Sequence, residues 1–217
     1  MIVNLNLQGK KIMIIGGGNE AQKRINSVIK QDCIITVISD SVNSHISKLA
    51  KAKKITLKKQ KISDTKFLSE FKPDVVITTT NDRKMNQKII KDAKKKKIIA
   101  YSSDNPDDSD FSNPAIIDFE NVIQIAIFTG GRSPAMSKKI KNRSEKLFKK
   151  IITKEDIAQI KIQKMAREIA KETIPTQEQR RECLRSIISD NGIDQLIKDG
   201  QMKKAEKRAI TILRNWK

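Results

Sequence analysis

Residues 12–21 read Ile-Met-Ile-Ile-Gly-Gly-Gly-Asn-Glu-Ala, an apolar strand running straight into a glycine turn and then a helix. That order points to one kind of site. Gly16 allows the tight turn, Gly18 lets the backbone approach a pyrophosphate, and Ala21 is small enough for the helix to lie close against the strand. The helix that follows places Ala21, Ile25, Val28 and Ile29 on one face, so the free N–H groups of its first turn point toward a bound phosphate. Gly16, Gly17, Gly18, Asn19, Glu20 and Ala21 are therefore the first candidate cofactor contacts. The pattern GxGxxA also occurs in plain turns; here the strand, turn and helix arrive in the order that a dinucleotide site requires.

A second apolar run, Ile34 to Ile38, ends at Ser39-Asp40 and reads as a strand buried on both faces. Asp40 follows Gly18 by 22 residues. A carboxylate at that distance, at the end of the second strand, is placed to accept hydrogen bonds from a ribose 2′-hydroxyl, and with no Arg beside it the expected cofactor is NAD in preference to NADP. The competing reading of Asp40 is a helix cap or turn residue. Ile55 to Lys58 and Val75 to Thr79 read as the third and fourth strands, Asp82 to Ala93 as the next helix, and Ile98 to Tyr101 as the fifth strand. The expected fold is α/β, a Rossmann-like doubly wound parallel sheet.

Beyond the sheet, Ala115 to Ile117 and Val122 to Phe128 are separated by Asp118-Phe119-Glu120-Asn121, a spacing that suits a β hairpin. After Ser133-Pro134 the pattern turns helical, with Pro175 and Gly192 as the clearest breaks among four expected helices. The predicted organisation is a nucleotide domain over 1–112, a β hairpin and helix forming a connector and dimerisation region over 113–150, and a helical C-terminal domain over 151–217.

The formal net charge of +20 suggests nucleic acid at first sight, but its distribution argues against that. Residues 1–112 carry 22 basic and 12 acidic side chains and residues 113–217 carry 23 and 13, so the excess is even. With one Trp, one Tyr and six Phe there is little to stack on bases, and no common nucleic-acid-binding module is present. What the charge favours is a polyanionic ligand. No apolar stretch approaches the ~20 residues that span a bilayer, and no signal-peptide pattern opens the chain, so no membrane partner and a cytoplasmic location are expected. Cys33 and Cys183 are far apart, which favours reduced thiols. His45 is the only histidine, and no metal site of the usual His/Cys kind is expected.

Three further clusters fall where a doubly wound fold brings strand ends to a ligand. Thr80-Asn81-Asp82, with Asn86 one turn on, can hydrogen-bond a cofactor, although capping the next helix explains Thr80 and Asn81 nearly as well. Ser103-Asp104-Asn105-Pro106, followed by Asp107, Asp108 and Asp110, crowds carboxylates without basic partners; one of them can serve as a proton acceptor, while most suit a solvated loop. Thr129-Gly130-Gly131-Arg132-Ser133-Pro134-Ala135 is a glycine turn opening another helix, and its N–H groups with Arg132 can hold a carboxylate.

Taken together these segments resemble the precorrin-2 dehydrogenase domain of the siroheme synthase family, the domain that forms sirohydrochlorin. Its elements occur in order as Leu5-Asn6-Leu7-Gln8-Gly9-Lys10-Lys11, Gly16-Gly17-Gly18, Thr80-Asn81-Asp82 with Asn86, Asp104-Asn105-Pro106, Pro114-Ala115 and Thr129 to Pro134, over about residues 3–137. Two departures stand out. Tyr101-Ser102-Ser103 replaces an Asn-Val-Val often found before the family's catalytic aspartate, and Ser109 lies near a position where the family has Cys. The resemblance implies NAD-dependent oxidation of precorrin-2 to sirohydrochlorin by a homodimer whose subunits exchange parts of the central β and helical regions. It implies that the glycine loop holds NAD, that Asp104 handles the proton, and that Ser133 lies near a polycarboxylate tetrapyrrole. Arg132, with Gly130 and Gly131, is a candidate for a substrate carboxylate on chemical grounds alone. Some family members also insert Fe2+, and a chelating activity with Asp104 as base is one alternative. A non-catalytic NAD-binding regulatory module is another; it accounts for the fold but not for the Thr129–Ala135 segment.

Overall fold

The computed structural model describes residues 2–216, which divide into two compact units at residue 113. In the first unit, β1 (Lys11–Ile15), β2 (Ile34–Ser39), β3 (Thr56–Lys59), β4 (Val75–Thr78) and β5 (Ile99–Ser102) form one parallel sheet in the order β3-β2-β1-β4-β5. Helices α1 (Asn19–Val28), α2 (Ser44–Lys51), α3 (Phe67–Phe71) and α4 (Arg83–Lys95) provide the crossovers. The expected Rossmann-like sheet is present, with α2 and the one-turn-and-a-half α3 added to the helices that periodicity revealed.

Alternation along the strands explains why both faces are covered. Ile12 and Ile14 of β1, Ile35 and Val37 of β2, Val75 and Ile77 of β4 and Tyr101 of β5 pack with Ala21, Ile25 and Val28 of α1 and Ile46 of α2. The intervening residues Met13, Ile15, Ile38, Val76 and Ala100 face Phe67 and Leu68 of α3 and Ile89, Ile90 and Ala93 of α4. The strand order reverses between β1 and β4, and it is outside the carboxyl ends of the strands at such a switch point that doubly wound sheets bind their ligands. A cavity of about 560 Å3 opens instead at the amino ends of β4 and β5, lined in part by Pro73, Asp74, Ile98 and Ile99. It lies at the end of the sheet away from the glycine turn.

The second unit begins with the antiparallel pair β6 (Ala115–Phe119) and β7 (Ile123–Ile127). Glu120 and Asn121 between them have φ of 54° and 56°, the left-handed pair of a primed hairpin turn. Five helices follow: α5 (Pro134–Ile151), α6 (Lys154–Thr173), α7 (Gln177–Ile188), α8 (Asn191–Lys198) and α9 (Met202–Arg214). Periodicity suggested four, with Gly192 as a break. Gly192 instead sits in the first turn of α8, where a Cβ would come within 2.6 Å of the Arg208 guanidinium; the breaks fall at the capping residue Asp190 and at Gly200, whose φ is 70°. Alanines at the crossings, Ala166 and Ala170 of α6 with Ala205 and Ala209 of α9, are fully buried and let α6 and α9 approach closely. No helix among the described residues is long and apolar enough to cross a membrane.

Candidate active site

The turn from β1 into α1 divides its three glycines by function. Gly16 has φ of 114°, and a Cβ there would sit 2.5 Å from Thr79 Oγ1. Gly17 is tighter still, since a Cβ would run into the carbonyl oxygen of Ser41 and the side chain of Val42. Gly18 faces open space and caps α1 without any side-chain hydrogen bond. By contrast α2 and α4 are closed by Asn43 and Asp82, and α5, α6, α7 and α8 by Ser133, Thr153, Thr176 and Asp190. An uncapped helix N-terminus, beside a position with no side chain and room in front of it, fits a pyrophosphate, which the first N–H groups and the helix dipole would hold.

Around this turn, Ala21 is fully buried and lets α1 lie against the sheet, while Asn19 is exposed and its Oδ1 accepts from Asn43 Nδ2 at 3.4 Å. Glu20 pairs with Lys23 at 3.0 Å and, more closely, with Arg24. Burial raises the Glu20 carboxyl, but hydrogen bonds and charges from Lys23 and Arg24 outweigh that and hold it below its ordinary value. The Arg24 guanidinium lies 4.8 Å over the Tyr101 ring, which stacks on Phe111 at 5.0 Å. Asp40 is exposed just beyond β2, and its Oδ1 accepts from Ser41 Oγ at 3.4 Å. It caps no helix; Asn43 caps α2.

At the end of β4 the chain meets the glycine turn. Thr79 N–H and Oγ1 both donate to Ile15 O, at 2.8 and 2.9 Å. Thr80 Oγ1 then donates to Asn86 Oδ1 at 2.7 Å, Asn86 Nδ2 donates to Thr80 O at 2.9 Å, and the same Nδ2 donates to Asp104 Oδ1 at 3.0 Å. Ser102 Oγ also donates to Asp104 Oδ1, at 2.7 Å, and is paired with Thr78 Oγ1 at 3.1 Å. Thr80, Asn86 and Asp104 thus come together at the carboxyl ends of β4 and β5, next to the strand that carries the glycine turn. Asn81 is exposed at the tip of this loop and Asp82 caps α4 by accepting from Met85 N–H at 2.9 Å.

Two other carboxylates of the 104–110 loop, Asp108 and Asp110, have structural partners, while Asp107 is exposed. Asp110 Oδ2 accepts from Ala100 N–H at 2.8 Å while Asp110 N–H donates to Ala100 O at 2.8 Å, so Asp110 closes part of the open edge of β5. Asp108 accepts from Asn105 at 2.6 Å, and Ser109 Oγ accepts from Ser102 N–H at 2.9 Å. Thr78 and Ser102, absent from the candidates that sequence offered, are buried hydroxyls opposite one another in the β4–β5 register. The signal available for them was a hydroxyl at the end of each of two otherwise apolar strands.

Gly130, Gly131, Arg132 and Ser133 belong to the second unit. Gly130 and Gly131 have φ of 63° and 75°, and the space beside Gly130 is bordered by Arg132 Nη1. Ser133 caps α5 by accepting from Met136 N–H at 3.2 Å, with Pro134 in the first turn. Thr129 Oγ1 accepts from Ser133 N–H at 3.2 Å and lies 3.0 Å from Ser137 Oγ, which fixes the turn.

Comparison with known proteins identifies the family. Residues 3–115 match a family profile described as "Putative NAD(P)-binding". A Methanocaldococcus jannaschii protein named "Putative precorrin-2 dehydrogenase" is 30% identical over 191 residues, covering 86% of this chain and 88% of that one. The precorrin-2 dehydrogenase of Priestia megaterium is 27% identical over 64% of this chain and 66% of its own. A siroheme synthase of Actinobacillus pleuropneumoniae is 23% identical over 97% of this chain, which spans 42% of that longer protein. The solved structure of SirC, a precorrin-2 dehydrogenase, shares the fold with a TM-score of 0.70 at 21% identity, over 96% of this chain and 99% of that one. A glycine turn shaped for a dinucleotide, and a relative matched over nearly its whole length, place this chain in the family of precorrin-2 dehydrogenases and siroheme synthase N-terminal domains, oxidoreductases that use a nicotinamide cofactor.

Proposed function

We propose that this chain oxidises precorrin-2 to sirohydrochlorin, with NAD+ as the hydride acceptor and Asp104 as the proton acceptor. The observation that carries the reading is the Asp104 carboxylate, anchored through Oδ1 by Ser102 and Asn86 and solvent-exposed at the rim where the glycine turn lies. Forming the new double bond removes one hydride and one proton from the macrocycle. When bound, the nicotinamide takes the hydride. The protein's part is to hold the cofactor on Gly16, Gly17, Gly18 and the N–H groups of Asn19, Glu20 and Ala21, with Thr80 and Asn81 alongside, and to receive the proton at Asp104.

The exposed Asp40 carboxylate supports NAD over NADP, since it would accept from a ribose hydroxyl and repel a 2′-phosphate. Gly130, Gly131, Arg132 and Ser133 are assigned to the carboxylates of the tetrapyrrole, which suits their N–H groups and cation. A homodimer is supported by the apolar surface of the second unit. Phe128, Met136, Leu147 and Ile151 are all exposed there. On this reading residues 1–112 form the cofactor domain, 113–150 the dimerisation region and 151–217 a helical domain, working in the cytoplasm.

The test is an anaerobic assay of the full chain with NAD+ and precorrin-2, following NADH absorbance and the sirohydrochlorin spectrum together. One NADH per sirohydrochlorin is expected. Binding of NAD+ with no turnover would make the chain a regulatory module instead. Asp104→Ala should bind NAD+ normally and lose about 10²-fold or more in kcat, the usual weight of a positioned proton acceptor.

A further inference from the structure

Asn86 is fully buried, and both N–H groups and one oxygen lone pair of its amide are committed. Its Oδ1 accepts from Thr80 Oγ1, and its Nδ2 donates both to Thr80 O and to Asp104 Oδ1. Turning the amide over would set its oxygen against two acceptors, so the network permits one orientation. Ser102 approaches the same carboxylate oxygen from β5. An ionised carboxylate only accepts, so the Ser102 O–H must point at Asp104 Oδ1, and Thr78 O–H must then donate to Ser102. Thr78 and Ser102 are 0% and 2% exposed, so this chain of donors ends in the sheet and does not lead to water. It is polarised in one direction, toward Asp104.

Both donors converge on Oδ1, and among the described residues no protein group is hydrogen-bonded to Oδ2. We propose that Ser102 and Asn86, with Thr78 behind Ser102, are positioning residues for Asp104: they lock its carboxylate through Oδ1 and leave Oδ2 as the oxygen open to the substrate proton. This rests on the assignment of Asp104 as the proton acceptor. Proton arrival at Oδ2 leaves the two bonds to Oδ1 intact, so the network does not have to rearrange during the reaction.

Four single variants of the full chain test the inference: Ser102→Ala, Ser102→Thr, Thr78→Val and Asn86→Ala. Each is measured for NAD+ affinity by calorimetry, for kcat and KM in the anaerobic assay, and for fold by circular dichroism. Ser102→Ala should lower kcat about tenfold, with NAD+ affinity and both KM values unchanged, because a misaimed carboxylate slows proton transfer without weakening binding. Ser102→Thr, which keeps the hydroxyl, should recover most of that loss. Thr78→Val should reproduce part of it without touching Asp104, and Asn86→Ala should exceed it. Should Asn86→Ala fail to fold, the Ser102 and Thr78 variants still decide. Wild-type kcat in Ser102→Ala and Thr78→Val, with Asp104→Ala inactive, would overturn the positioning role and leave the proton-acceptor assignment standing. Full turnover by Asp104→Ala would remove that assignment itself. Equal losses in Ser102→Ala and Ser102→Thr would also count against the proposal, since packing and not the hydroxyl would then be at issue.

Discussion

A side chain at Gly17 would run into the carbonyl oxygen of Ser41, just past β2, while the Gly17 carbonyl accepts from Asn43 N–H at 3.0 Å. The glycine turn is thus bolted to the next crossover at its middle residue and open at its last. Gly17→Ala and Gly18→Asp should therefore fail in opposite ways. Gly17→Ala overpacks against backbone and should lower stability by about 3 kcal/mol, read as a fall in the denaturation midpoint. Gly18→Asp puts a carboxylate at the cap of α1, where φ is −85° and any residue fits; it should gain a few tenths of a kcal/mol in the free protein, about what a good cap adds over glycine. The same carboxylate would occupy the N–H groups intended for phosphate, so calorimetry should detect no NAD+ binding.

Asp40 sets cofactor choice on the proposed reading. Replacing it by Ser together with Ser41→Arg should weaken NAD+ about tenfold, close to the ~1.5 kcal/mol of a hydrogen bond to a charged acceptor, and strengthen NADP+. Fluorescence titration with both reduced cofactors measures the ratio. An unchanged ratio would return Asp40 to the surface.

Asp110 separates the structural members of the acidic loop from Asp104. Asp110→Ala removes the acceptor of the Ala100 N–H at the edge of β5 and should cost about 1 kcal/mol of stability. Turnover per folded molecule should be preserved. A loss of kcat comparable to that of Asp104→Ala would show that the loop carries chemistry at more than one carboxylate.

In the second unit Asp190 binds Arg208 through both oxygens, at 2.6 and 2.9 Å, and caps α8 at Ile193 N–H. The Arg208 hydrogen bond holds its carboxyl below the ordinary value, against the opposing effect of burial. A depressed carboxyl contributes stability that is complete above its unfolded value, near pH 4, and is lost as pH falls through the folded one. Urea midpoints between pH 6 and pH 3 should fall less in Asp190→Asn than in the parent chain. Parallel pH curves would exclude this pair from acid denaturation.

The sheet was legible because four of its strands, β1, β2, β4 and β5, are short, largely apolar and largely buried runs that end at a Gly, Ser or Thr announcing the turn, whereas the edge strand β3 is half lysine and has no fully buried residue. Asp104 and Asn86 could likewise be named from motif order. Their contact could not, because it depends on α4 bringing Asn86 over the end of β5. α2 and α3 escaped notice since they are short and lysine-flanked, and their apolar positions, such as Ile46, Phe67 and Leu68, acquire meaning only against the sheet. The misplaced break at Gly192 has the same origin: that glycine serves the Arg208 side chain packed over it, not a turn.

Local chemistry, then, was enough to establish the parallel sheet, the anion-ready turn after β1 and the list of polar residues at the strand ends, because φ freedom, apolar alternation and charge are properties of neighbouring residues. The division of labour among Gly16, Gly17 and Gly18, and the donors converging on one oxygen of Asp104, were decided by tertiary structure. They depend on the register Thr78 to Ser102 and on the approach of Ser41 to Gly17, and such approaches arise only when segments remote in the chain pack together.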